Sequence, residues 1–92
     1  MSNIFELHFP EELAGVDIEG VDVQMLALDA LRLLHYFAHE SDFTPEQYRV
    51  LQEIASDLPK VIKGVDEEHK KYFRKLAHAV QEVQGAYQKA KS

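Results

Sequence analysis

In the middle of the chain, apolar positions recur with helical spacing. Val23, Leu26, Ala27, Ala30, Leu31, Leu34, Phe37 and Ala38 follow the i, i+3, i+4, i+7 rule. At about 100° per residue they cover one broad face, which predicts a helix over 21–40. The opposite side of that helix is also apolar. Met25, Leu28 and Tyr36 fall there, with Val21 one turn earlier, among Asp29, Arg32 and His39. A helix apolar on nearly all sides is surrounded by protein. Either the rest of the chain wraps it, or another molecule covers the second stripe. A chain of this length buries only about 60–65% of its unfolded surface. The expectation carried forward is therefore a homodimer through Val21, Met25, Leu28, Arg32 and Tyr36, with Arg32 and Asp29 pairing across the axis. The competing expectation is an N-terminal arm, with Phe5, Leu7 and Phe9, folded over the same stripe.

The pattern after residue 40 predicts more helix. Thr44-Pro45-Glu46-Gln47 reads as a capping box, with Thr at the N-cap, Pro at the first helical position and Gln at the third. Phe43 and Tyr48 flank it as a hydrophobic staple. Tyr48, Leu51, Ile54, Ala55 and Leu58 form the stripe of a helix over 45–58. Pro59 predicts its end or a kink, followed by a short helical piece near 58–63 and Gly64 at a C-terminal cap. Asp66 is placed to cap a last helix over 67–89. His69, Phe73, Leu76, Val80, Val83 and Tyr87 share one face of it, and Lys70, Lys71 and Arg74 point away.

The first twenty residues change period. Phe5, Leu7 and Phe9 alternate with polar residues, as do Val16 and Ile18, which predicts an extended arm or a weak hairpin over 1–20. Gly20 and Asp22 end that part and cap the central helix. The fold class expected is thus mostly all-α. It is one helical domain over 1–92, a small bundle of three main helices plus a short helical piece, with neighbours antiparallel.

Composition narrows the chemistry. The chain has no cysteine, which removes disulfides, thiolate metal sites and a cysteine nucleophile. The N-terminal stretch lacks the basic start and long apolar run of a signal peptide. No segment reaches the roughly 18 to 20 uncharged apolar residues of a membrane span. A cytoplasmic protein without membrane contact is the expectation. Charge is unevenly spread: residues 1–57 carry twelve acids against two bases, and residues 58–92 carry eight bases against four acids. Such asymmetry suits complementary association.

Three constellations merit weighing. His35 and His39 stand at i, i+4, the spacing at which two imidazoles on one helix face hold a metal. Asp66 and His69, at i, i+3, are a partial match to the carboxylate–histidine pairs of helical metal sites. The bland reading of these histidines is a solvated flank for the first pair and a boundary position for His69. Lys70, Lys71, Arg74 and Lys75, with Lys60 and Lys63, form a basic strip of the kind nucleic acid requires, but net acidity makes nucleic acid an unlikely partner. No nucleophile–base pair and no Gly-rich phosphate loop is legible, so no enzyme and no cofactor are expected. The reading that remains is a small acidic protein-interaction module, regulatory or of the inhibitor or immunity type. It presents Glu11, Glu12, Asp17, Glu19 and Asp22 to a basic site on a protein partner. A metal-binding helical protein using His35 and His39, or a basic-helix nucleic-acid binder, are the alternatives.

Overall fold

The computed structural model describes residues 8–91. After a 3-10 turn at Glu11–Leu13 come two short strands, β1 (Asp17–Ile18) and β2 (Val21–Asp22). Three helices follow: α1 (Val23–Glu40), α2 (Pro45–Gly64) and α3 (Glu67–Lys91). The mostly helical expectation holds. Each helix start has a chemical cause. Asp22 caps α1 by accepting the Met25 N–H at 3.1 Å. Thr44 and Gln47 complete the capping box of α2, each side chain accepting the other's backbone N–H at 3.1 and 2.9 Å. The Phe43 and Tyr48 rings lie 6.4 Å apart, as the staple requires.

Two expectations are corrected. Pro59 neither ends α2 nor starts a separate piece, and one helix runs through to Gly64. Pro59 is exposed, whereas Leu51, Ile54, Leu58 and Val61 continue one buried stripe across it. Burial of that stripe holds the helix together where the backbone loses a hydrogen bond. The second correction concerns the hairpin. β1 pairs antiparallel with β2, Asp17 opposite Asp22 and Ile18 opposite Val21, so Val21 belongs to a strand and the helix starts two residues later. Glu19 and Gly20 form the loop, with φ of 50° and 83°. Two consecutive residues at positive φ make the tight turn that matches strand twist. Phe5 and Leu7, assigned above to the arm, lie outside the described residues.

The core lies where the three helices meet. Leu34 of α1, Leu51 and Leu58 of α2, and Phe73, Leu76 and Val80 of α3 are fully buried. At one end Phe43 gathers Phe37, Tyr48 and Tyr87 around it, so the start of α2 meets the end of α3 and the two run antiparallel. Lys91 reaches Asp42 at 3.3 Å there. At the other end the hairpin crosses the end of α2. A Cβ on Gly64 would stand 2.5 Å from Ile18 Cγ2, so glycine permits that crossing. Phe9 packs edge-on against Tyr72 and Phe73 of α3, not over α1.

Candidate interaction surface

The side of α1 away from the core stays uncovered among the described residues. Met25 is 48% exposed, Leu28 40% and Tyr36 38%, and no other large hydrophobic among the described residues is comparably exposed. Helical phase explains the set. Val23, Leu26, Ala27, Ala30 and Leu34 turn to the core, and residues half a turn away cannot follow them. Tyr36 is held in place by stacking on Phe43, with ring centroids 6.4 Å apart and planes within 15°.

Beside this face runs a groove of about 290 Å³ between α1, α2 and the hairpin. Val21, Met25, Leu26, Val50 and Ile54 give it an apolar floor. Asp22, Asp29, Glu53 and Asp57 give it an acidic rim. Asp29 and Val50 also border a second hollow of about 350 Å³ farther along the same helices, where Arg32, Leu33 and Glu46 join them. The rim charges are little compensated within the chain. Asp57 has Lys60 at 3.6 Å, and Asp22 spends one oxygen on its cap. An apolar floor under four carboxylates suits a segment that is apolar on one side and basic on the other.

The acidic residues expected to act together are divided by the fold. Glu11 and Glu12 sit on the 3-10 turn, Asp17 and Glu19 on the hairpin, and all are exposed. Glu12 is engaged by His69, whose Nε2 stands 3.0 Å from its Oε2. Asp22 alone of the five lines the groove. Glu53 and Asp57, which the sequence reading passed over, supply the rest of the rim with Asp29. Their signal was present in the spacing: Val50, Glu53 and Asp57 share one side of α2. Which side of α2 would face α1 is a tertiary fact.

His35 and His39 do lie together, ring centroids 4.6 Å apart, but both are exposed. Asp66, Glu68 and His69 are the one group of three or more possible metal donors among the described residues, and neither His35 nor His39 belongs to it. His69 is buried at the start of α3, with Glu68 3.5 Å from Nε2 and Asp66 4.0 Å from Nδ1. Its contact to Glu12 ties the 3-10 turn to α3, a boundary role. Nearby, burial pushes the Tyr72 phenol up from its ordinary pKa of 10.0. On the basic strip, Lys70 pairs with Glu67 at 3.3 Å, and Lys71, Arg74 and Lys75 are exposed. No helix among the described residues is long and apolar enough to cross a membrane.

No protein-family model matches the chain, and neither does any curated protein or solved structure.

Proposed function

We propose that the chain is a small acidic protein-interaction module, regulatory or inhibitor-like rather than enzymatic, which captures a basic amphipathic segment of a partner. The observation that carries this reading is the groove between α1 and α2, with its apolar floor and its rim of Asp22, Asp29, Glu53 and Asp57. Burying a Leu or Met side chain on that floor stabilises a complex by roughly 1.5–3 kcal/mol before association costs. The rim charges set orientation and association rate more than strength. Glu11, Asp17 and Glu19 extend the negative field around the hairpin, which favours encounter with a cationic partner.

The test uses a synthetic amphipathic helix with Leu on one face and Lys on the other, titrated by calorimetry. Glu53→Lys is the informative variant, because Glu53 is exposed and caps nothing. The reading expects saturable, salt-sensitive binding that Glu53→Lys weakens about tenfold, or ~1.4 kcal/mol. Binding that the variant leaves unchanged, or no binding at low salt, defeats it.

A further inference from the structure

The exposed face of α1 has a symmetry of its own. Met25, Asp29, Arg32 and Tyr36 are spaced four, three and four residues apart, which is the spacing of one coiled-coil seam. Positions 25 and 36 lie equally far from the point between Ala30 and Leu31, and so do positions 29 and 32. Two such helices laid antiparallel about that point bring Met25 of each against Tyr36 of the other. The same register sets Asp29 of each against Arg32 of the other, twice per pair. The seam is therefore complementary to itself in the antiparallel sense. In a parallel pairing Asp29 would meet Asp29.

We propose that a second copy of this chain covers this face, α1 against α1, about a two-fold axis between Ala30 and Leu31. Three observations support that occupant. The large exposed hydrophobics among the described residues, Met25, Leu28 and Tyr36, all fall on this side of one helix. No ion pair joins Asp29 or Arg32 to another side chain among the described residues, so both are available to a neighbour. Among the described residues of the N-terminal segment, Phe9 enters against Tyr72 and Phe73 of α3 and not against this face. A two-fold axis closes the assembly at two copies, because each face is consumed by its twin. Tyr36, already stacked on Phe43, presents a fixed ring to the incoming Met25. Leu28 flanks the seam and shields it from water. Met25 and Asp29 also border the groove between α1 and α2, so self-association and capture of a partner compete for them.

The two readings are tested separately: self-association is measured on the chain alone, with no basic segment present, and of the four rim acids only Asp29 is changed. Sedimentation equilibrium at about 100 μM, well above a μM dissociation constant, is read for four chains: wild type, Asp29→Arg, Arg32→Asp and the double exchange. Circular dichroism confirms that each remains helical. A wild-type dimer is expected. Each single reversal weakens association at least about tenfold by setting like charges opposite one another. The double exchange restores it, because the antiparallel register pairs 29 with 32 in either order. A wild-type monomer overturns the proposal. So does a dimer that ignores the single reversals, or a double exchange that stays as weak as either one.

Discussion

α1 and α3 are built from similar apolar patterns and finish differently. α3 turns His69, Tyr72, Phe73, Leu76, Ala79, Val80 and Val83 inward and leaves Lys71, Arg74 and Lys75 outside. Its surface is that of a helix whose apolar side is fully used. α1 buries Val23, Leu26, Ala27, Ala30 and Leu34 just as deeply, yet keeps Met25, Leu28 and Tyr36 in water. A bundle of three helices has one inner side per helix, so the helices themselves leave the second apolar stripe of α1 outside their core. The lesson is that the apolar residues of α3 are consumed by the core, whereas α1 keeps part of its apolar content exposed, on the face that the proposed association would use. The acid-rimmed groove lies beside that divided helix, and the basic strip lies on the finished one.

The sharpest contrast is energetic. Phe73→Ala removes a fully buried ring from α3 and is expected to cost about 3–5 kcal/mol, seen as a lower midpoint in denaturant. Leu28→Glu on the outer side of α1 is expected to change the stability of the dilute chain by less than about 0.5 kcal/mol. It should also abolish any rise of Tm with protein concentration, which is the signature of association. If Leu28→Glu were as costly as Phe73→Ala in dilute solution, the division of α1 into two working sides would be wrong. The smallest effect concerns the tie between the end of α3 and the approach to α2. The Phe43 N–H and then the Lys91 ammonium hold the Asp42 carboxyl below its ordinary pKa of 3.8. A lowered native pKa means that Asp42 stabilises the fold above pH 3.8, and that this is lost as pH falls through the lower native value. Wild type and Asp42→Asn should therefore differ slightly in Tm near neutrality and converge in acid. A difference that widens in acid would contradict the assignment.

Much of the fold was legible because its signals are local. The capping box at Thr44–Gln47, the staple of Phe43 and Tyr48, and the 3.6-residue stripes of all three helices need no tertiary information. Pro59 misled because helix propensity is overridden when the stripe on both sides of it is buried. The hairpin was misplaced because two consecutive residues at positive φ, Glu19 and Gly20, carry only one glycine to announce them. The second stripe on α1 could be read from periodicity, and among the described residues nothing covers Met25, Leu28 and Tyr36. The groove could not be read so. Asp22, Asp29, Glu53 and Asp57 come from three elements, and only the packing of α1 on α2 brings them together. Glu12 reads in sequence as one of five acids offered to a partner, and its contact with His69 spans 57 positions.

The difference between the two helices can be mapped residue by residue with backbone amide shifts of the 15N-labelled chain, followed from dilute to concentrated solution. The account predicts changes clustered at Met25, Leu28, Asp29, Arg32 and Tyr36, with the amides of α3 from Lys70 to Lys75 unmoved. Shifts that move along α3 while α1 stays still would contradict it, and so would a spectrum that does not change with concentration.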